Sequence, residues 1–180
     1  MNKIIDAGGE NSSSPFQIRN IENVDEIINA IQDARRNDKK ITLYGTKHSQ
    51  AGQICYEDAL AFDMNSFDQV IHLDLEKKQI TVESGIQWKQ IQEAIIPHGL
   101  AIQVMQFVNT FTVGGSLSSN LFSRDPRVSR LIQTVLSFTL ILATGEKVFC
   151  SRDENGELFS LAIEGHGLFW SYRRSNPSAN

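Results

Sequence analysis

The sequence predicts an α+β domain of two lobes. In the first part of the chain, a helix pattern leads into a short strand and then into a glycine-bounded loop, the order that a nucleotide-binding lobe of the βαβ type needs. Farther along, pairs of alternating apolar segments predict β-hairpins. The 180 residues, of which 41% are hydrophobic, suffice for one compact domain or for two small lobes that share a core.

The first elements are predicted from glycine content, capping residues and periodicity. Met1 to Ser14 is rich in glycine and serine without periodicity, which predicts a loose leader. Asn23 can cap a helix that extends to Asn37–Asp38, because apolar residues recur on one face and Glu26 occupies the capping-box position. The strand Ile41 to Tyr44 follows this helix.

The later segments alternate between strands, hairpins and helices. The predicted elements are a strand over Ala59 to Met64, a hairpin over 71–83 with one buried face, a helix over Ile86 to Ile96, a strand over Leu100 to Val104, a hairpin over Val135 to Cys150 and a short helix that ends near Ile163. His98 falls at a helix end and His72 on the polar side of a hairpin strand, so neither is a catalytic candidate.

Charge and cysteine content argue against several classes of protein. With 17 Lys plus Arg against 21 Asp plus Glu, the net charge is −4 and no broad basic face for nucleic acid is expected. Cys55 and Cys150 are far apart and lack metal-ligand spacing, which argues against zinc or any other metal and against a disulfide framework. No segment has the length of a signal peptide or a membrane span, so a cytoplasmic location is expected by default.

The loop from Gly45 to Gln53, with the sequence G-T-K-H-S-Q-A-G-Q, is the first candidate site. Glycine permits backbone angles at which successive N–H groups converge, and such a concavity binds an anion such as a pyrophosphate. His48 lies within this loop. From spacing alone, a surface turn with a solvated histidine explains the pattern equally well.

The segment from Phe111 to Asn120, F-T-V-G-G-S-L-S-S-N, is the second candidate. Two adjacent glycines followed by small residues predict a helix start with exposed N–H groups, where an anion can bind and the backbone can lie flat against a ring system. A helix whose small residues only permit tight packing is the alternative. The two glycine segments are expected to converge around one ligand.

Both segments resemble parts of one family, the FAD-linked oxidases of the vanillyl-alcohol oxidase and p-cresol methylhydroxylase (PCMH) superfamily. The first is similar to its pyrophosphate loop G-x-x-H-S-x-x-G-Q, with Lys47 in place of the commoner glycine, and the second to its T-x-G-G-x-x-x-x-N segment. The resemblance implies a PCMH-type FAD-binding domain over residues 15–169. It assigns cofactor contacts to Gly45, Thr46, Lys47, His48, Ser49, Gly52, Gln53, Thr112, Val113, Gly114, Gly115, Ser116, Ser119 and Asn120.

The resemblance also implies a function. FAD would accept a hydride from an alcohol-like or sugar-like CH–OH donor, and His48 falls on the histidine that carries the flavin covalently in many members. The family's C-terminal domain, which covers a small-molecule substrate and supplies the base, is expected to be absent here, so no catalytic residue is assigned. A truncated remnant or a flavin-binding module without turnover is the alternative.

The family pattern is lost at Trp170. The family segment G-G-x-G-L-F-G appears as E-G-H-G-L-F-W, with Glu164 in place of a glycine, and residues 170–180 have the composition of an unstructured polar tail. Read one base later, the codons TGG-AGT-TAT would encode Gly-Val and the start of an isoleucine, the expected continuation. This predicts a reading-frame shift that truncates the domain before its last strand.

Overall fold

The computed structural model of the protein describes residues 3–123, 127 and 130–165. Its elements are β1 (Ile4–Ile5), β2 (Ser12–Ser13), β3 (Gln17–Asn20), α1 (Val24–Arg36), β4 (Ile41–Tyr44), β5 (Leu60–Asp63), β6 (Val70–Asp74), β7 (Gln79–Val82), α2 (Trp88–Ile95), a 3₁₀ turn (Ile96–His98), α3 (Val113–Ser118), a second 3₁₀ turn (Leu131–Gln133), β8 (Ser137–Ile141), β9 (Lys147–Ser151) and α4 (Gly156–Ala162). Helices, a parallel sheet and antiparallel hairpins occur together, so the predicted α+β class is confirmed.

A parallel sheet carries the strand that leads into the first glycine loop. Its strand order is β3, β5, β4, and α1 connects β3 to β4. Leu60, Ala61 and Phe62 of the central strand β5 are all buried, as expected for a parallel strand covered on both faces. Strand β4 is an edge strand of this sheet and ends at Tyr44. The first glycine loop therefore begins at the edge of the sheet.

The caps and the apolar face of α1 match the sequence pattern closely. The Asn23 side chain accepts the Glu26 N–H at 3.0 Å, and the Glu26 carboxylate in turn accepts the Glu22 N–H at 2.7 Å. These two bonds satisfy backbone donors that a helix start leaves free. Ile27 and Ile31 are buried in the cluster that includes the residues of β5.

A second hydrophobic cluster lies around α2 and the two later strand pairs. Trp88 is 1% exposed, and its indole N–H donates to Ser116 Oγ at 2.8 Å. The rings of Phe138 and Phe159 stack with their centroids 5.2 Å apart. Cys150 is completely buried in this cluster, which confirms its prediction as a core residue.

Gly85 joins the two clusters through backbone contact. Its N–H donates to the Phe67 carbonyl at 2.7 Å. A Cβ atom at this position would lie 1.7 Å from the Met64 carbonyl oxygen and 2.7 Å from that of Phe67. Both contacts are far inside van der Waals distance, and backbone atoms cannot move aside as a flexible side chain can. Only glycine therefore fits at position 85, where the chain packs on the backbone of the segment after β5.

We expect Gly85→Ala to lower the free energy of unfolding by about 3 kcal/mol, because the added methyl group must displace backbone atoms. Urea denaturation followed by circular dichroism measures this change. Gly156→Ala is the matched control, since its Cβ would meet only the Ser151 carbonyl oxygen at 3.8 Å. Equal losses of stability in the two variants would contradict the close backbone contact at Gly85.

The first residues of the chain differ from the expected loose leader. Strands β1 and β2 pair antiparallel, and Ile4 is completely buried beside Tyr44 and Ala61. Asp6 is also buried and binds Asn11 through its side chain. The glycines that suggested looseness instead form the turn of this N-terminal hairpin, and long-range packing that periodicity cannot show fixes it to the sheet.

Two further predictions need correction. The hairpin of β6 and β7 is present, but a register shift between Val70 and His72 interrupts the expected alternation, and Ile71 and Leu75 are 43% and 47% exposed instead of buried. The predicted strand over residues 100–104 does not form. Val104 is nevertheless buried in the second cluster. The apolar residue is therefore explained by core packing, although no strand forms at this position.

Some predictions fall on residues that the structure does not describe. The tail over residues 170–180 and the resemblance from residue 166 onward lie outside the described residues. The reading-frame shift therefore stays a prediction, which the gene's DNA sequence tests. No helix among the described residues is long and apolar enough to cross a membrane.

Candidate functional site

A cavity lies along β4, between the first glycine loop and the start of α3. Its volume is about 480 Å³, within the ~300–1,000 Å³ typical of small-molecule and cofactor pockets. The backbone of the edge strand, the loop that follows it and the second glycine segment all contribute to its walls. The fold therefore brings two segments that are far apart in the sequence to one concave site.

Direct contacts hold the two glycine segments together. The Thr46 hydroxyl donates to the Thr110 carbonyl at 2.9 Å, and the His48 and Phe111 rings lie with centroids 4.5 Å apart. At Gly45, a Cβ atom would lie only 2.5 Å from Cγ2 of Thr112. The predicted convergence of the two segments is thus confirmed, and it depends on a glycine at position 45.

Most of the residues assigned from the resemblance line the cavity, and four of them lie outside its lining. Those that line it are Gly45, Thr46, Lys47, His48, Ser49, Gln53, Thr112, Gly114, Gly115 and Ser119. The structure does not place Gly52, Val113, Ser116 and Asn120 in the lining. The Gly52 N–H binds Asp6, and Val113 is part of the second core cluster.

The remaining two of these four residues are also engaged within the protein. Ser116 is 1% exposed; its hydroxyl accepts from the indole N–H of Trp88 and donates to the Thr112 carbonyl at 2.8 Å. The Asn120 side chain donates to Glu164 at 3.1 Å and accepts the Ile132 N–H at 3.2 Å. Their small or amide side chains fix the position of α3 rather than facing the cavity.

The expectation of exposed N–H groups at the start of α3 is wrong. The Val113 N–H donates to the Ile86 carbonyl at 2.9 Å, the Gly114 N–H to the Ser84 carbonyl at 2.7 Å and the Gly115 N–H to the Thr112 hydroxyl. The donors of the first helical turn are therefore already occupied. What the glycines permit here is close packing, because a Cβ at Gly114 would lie 3.0 Å from the Ser84 carbonyl oxygen.

Unpaired backbone donors belong to the first loop instead. Within the described part of the chain, the N–H groups of residues 46–50 donate to no protein acceptor. Lys47 and Lys40 also line the cavity. Unpaired amides together with the ammonium groups of two lysines are a donor set that suits a diphosphate.

Lys47 has a backbone conformation that favours glycine. Its φ is 58°, in the left-handed region, which explains why glycine is commoner at this position in the resembled pattern. Its ammonium group lies 4.6 Å from the centroid of the Tyr44 ring. The backbone at Lys47 is therefore strained, and its ammonium group adds a positive charge at the cavity.

A polar network fixes the start of the loop. Tyr44 is 3% exposed; burial, followed by the nearby Asp63 carboxylate, raises the pKa of its phenol, which stays protonated as a hydrogen-bond donor at neutral pH. The Asn65 amide donates to Asp63 at 2.6 Å and to the Gly45 carbonyl at 3.1 Å. The last residue of β4 and the first of the loop are therefore anchored to the turn after β5.

His48 is exposed, but two neighbours restrain its ring. Nδ1 lies 2.8 Å from the Thr46 hydroxyl, and Phe111 contacts the ring with the two planes tilted by 55°. Thr46 is itself fixed to the second glycine segment. An imidazole at the cavity surface is thus held by both loops at once.

Sequence reasoning missed several lining residues. Phe111 precedes the matched T-x-G-G pattern and so received no role, although it contacts His48. Ser84 and Tyr44 line the cavity from elements that carry no motif. The one available signal was position, because Tyr44 ends the strand directly before the loop.

Comparison with known proteins identifies the family. A family described as "FAD binding domain" matches residues 16–151. The chain belongs to this FAD-binding family. FAD is its cofactor, and the cavity fits its diphosphate, because the N–H groups of residues 46–50 are unpaired and two lysines line the cavity.

The similar proteins are oxidoreductases named for sugar lactones. The chain is 31% identical to L-gulonolactone oxidase of Bos taurus over 147 residues, 82% of this chain and 32% of that protein. It is 24% identical to D-arabinono-1,4-lactone oxidase of Kluyveromyces lactis over 143 residues, 77% of this chain and 27% of that protein.

A third relative is the mitochondrial L-galactono-1,4-lactone dehydrogenase of Arabidopsis thaliana, 31% identical over 100 residues, 56% of this chain and 16% of that protein. The chain thus spans about a third or less of the length of these relatives. All three names describe oxidation of a lactone, which indicates flavin-dependent oxidoreduction as the general chemistry of the group.

We expect Gly45→Ala to weaken FAD binding at least about tenfold, or ~1.4 kcal/mol, because the methyl group forces the loop away from Thr112 and opens the cavity. Quenching of flavin fluorescence during titration measures the affinity. Gly156→Ala, in α4 and outside the cavity lining, is the control and should bind FAD like the wild type. Unchanged affinity in Gly45→Ala would contradict the role of loop contact.

The variant Lys47→Gly should have two opposite effects, one from relief of backbone strain and one from loss of the positive charge. Removing a side chain at positive φ raises the free energy of unfolding by about 1 kcal/mol, while loss of the ammonium group lowers FAD affinity several-fold. Lys78→Gly is matched, because Lys78 has a φ of 52° and lies outside the cavity lining. Thermal melting and FAD titration of both variants test this; a Lys78→Gly protein that binds FAD as weakly as Lys47→Gly would refute it.

Proposed function

We propose that this chain is the FAD-binding part of an oxidoreductase that removes a hydride from a CH–OH group of a small sugar-like substrate. The observation that carries the proposal is the position of His48, which both glycine segments hold at a cavity with unpaired backbone donors. The family match and the three lactone-oxidising relatives support the same chemistry.

The proposal assigns the two larger hydrophobic clusters to the two lobes of a PCMH-type domain. The cavity is lined by residues that pack in both clusters, Met64 in the first and Phe111 in the second. On this view the residues that complete the substrate side belong to a region corresponding to the additional length of the relatives.

The residues of the cavity would divide the work of holding the cofactor. The N–H groups of residues 46–50 and the ammonium groups of Lys40 and Lys47 would bind the diphosphate. Gly114, which lines the cavity, would lie beside the ring system. When bound, FAD supplies the hydride-accepting centre, and the protein supplies orientation and exclusion of water.

His48 would attach the cofactor covalently. An imidazole nitrogen would form a C–N bond to the 8α-methyl carbon of the ring, replacing one C–H bond. This bond would release one proton from the methyl group and one from the imidazole, and an acceptor such as oxygen would take up the two electrons. Thr46 and Phe111 would keep the imidazole in place for this step.

Denaturation in acid tests the covalent bond. We expect flavin fluorescence to stay with the protein band of the FAD-loaded wild type and to be absent from the band of His48→Ala. His98→Ala is the control, because His98 is exposed at the end of the first 3₁₀ turn and is not part of the cavity lining. Flavin that remains attached in His48→Ala would refute the assignment, whereas fully dissociable flavin would leave only noncovalent binding.

A substrate panel tests the oxidoreductase function of the chain. L-gulonolactone, D-arabinono-1,4-lactone and simple polyols are added to the yellow, FAD-loaded protein without oxygen, and bleaching of the flavin colour by a lactone would indicate turnover by this chain without the additional length of the relatives. A yellow protein that no substrate bleaches would indicate a flavin-binding module, and a colourless protein would indicate a remnant that has lost the cofactor.

A further inference from the structure

The N-terminal hairpin lies against the first glycine loop, on the side of the loop that Gly52 occupies. Residues 3–15 precede the segment that matches the family, residues 16–151. Even so, Ile4 is completely buried and Asp6 is 5% exposed. A short segment outside the family match thus packs on the loop that carries His48.

The Asp6 carboxylate joins the hairpin to the loop. One oxygen accepts the Gly52 N–H at 3.1 Å and the Asn11 side-chain amide at 2.8 Å, and the other accepts the Asn11 N–H at 3.4 Å. A charged acceptor forms stronger hydrogen bonds than a neutral one. These bonds, first that of the Asn11 side chain, lower the pKa of Asp6, so the carboxylate is ionised at neutral pH.

Further contacts extend along the same side of the loop. The Ala7 N–H donates to the Ser49 carbonyl at 2.8 Å. A Cβ at Gly8 would lie 3.3 Å from the Gln50 carbonyl oxygen, so the turn of the hairpin contacts the loop through backbone atoms. The loop carbonyls of residues 49 and 50 therefore face the hairpin.

This arrangement bears directly on the unpaired donors of the cavity. The first part of the loop is fixed by Asn65 at Gly45 and by Thr110 at Thr46. Its second part is fixed by the hairpin at Ser49 and at Gly52, whose φ of 74° reverses the chain direction. With both ends held, the N–H groups between them keep one conformation instead of many.

The charge of Asp6 cannot itself favour an anionic ligand. A carboxylate near a diphosphate repels it, so the benefit of Asp6 must come from the geometry of its hydrogen bonds. An oxygen acceptor that the side chain of residue 11 holds in place should therefore serve the Gly52 N–H whether or not it carries a charge. This separates the geometric role of the side chain from an electrostatic one.

We propose that Asp6 is a positioning residue for the flavin site, which acts by fixing Gly52 and hence the shape of the loop that carries His48. The proposal rests on the proposed function, because it assumes that this loop binds the cofactor. It places a determinant of cofactor binding in a segment that the family match does not include.

Four variants of the full chain test the proposal. Asp6→Ala removes the acceptor. Asp6→Asn keeps an oxygen for the Gly52 N–H. The double variant Asp6→Asn with Asn11→Asp also restores the side-chain pair with donor and acceptor exchanged. Glu10→Gln removes one charge from an exposed position of the same hairpin and is the control.

Two measurements are made on each variant: the Kd for FAD, and the rate of covalent attachment at saturating FAD. If the flavin dissociates freely, the visible circular dichroism of the bound flavin replaces the rate. In protein that is folded and saturated with FAD, loss of stability alone changes neither the rate of covalent attachment nor the visible circular dichroism of the bound flavin. Far-UV circular dichroism verifies that each variant is folded.

We expect Asp6→Ala to raise the Kd and to slow attachment about tenfold each, or to change the flavin dichroism, because a hydrogen bond to a charged acceptor is lost. The double variant should recover most of this loss, and Glu10→Gln should match the wild type. If Asp6→Ala does not fold, the comparison of Asp6→Asn with the double variant decides, since only positioning predicts recovery.

Wild-type values in Asp6→Ala, or a double variant no better than Asp6→Asn when Asp6→Asn is impaired, would overturn the proposal while the wild type still binds FAD. Failure of both the wild type and Glu10→Gln to bind FAD would instead overturn the proposed function and this inference with it. The two failures are therefore distinguishable.

Discussion

The contact between Gly45 and Thr112 is the constraint on which the site depends. A Cβ atom at Gly45 would lie 2.5 Å from Thr112 Cγ2, so the first loop approaches the second segment as closely as backbone geometry allows. Thr112 also accepts the Gly115 N–H, which links the same contact to the start of α3. The cavity, the His48 and Phe111 pair and the bond from Thr46 to Thr110 all follow from this approach.

The two glycine segments, although similar in composition, have different physical tasks. The N–H groups at the start of α3 are satisfied by carbonyls of residues 84 and 86 and by Thr112, so its glycines serve close packing. The loop after β4 keeps its donors free because Asn65, Thr110 and the N-terminal hairpin hold its backbone from other sides. The loop can bind an anion because neighbouring residues fix its conformation without occupying the N–H groups of residues 46–50.

Local signals predicted most of the elements and the convergence of the loops. Capping and periodicity were sufficient for α1, and glycine punctuation located both segments, since these features depend on residues close in sequence. The N-terminal hairpin, the register shift in β6 and the hydrogen bonding of α3 depend on partners about 25 to 50 residues away or on irregular pairing, which no local pattern records. At Lys47, the sequence shows that lysine replaces the glycine of the family pattern. Only the structure shows the positive φ that strains the backbone there.

A crystal structure of the chain with FAD bound tests the central claim most directly. The account predicts diphosphate oxygens at ~2.7–3.2 Å from N–H groups of residues 46–50, with the ring's methyl edge against His48 and its plane near Gly114. A diphosphate bound at the start of α3 instead, or FAD outside the cavity between the two segments, would contradict it.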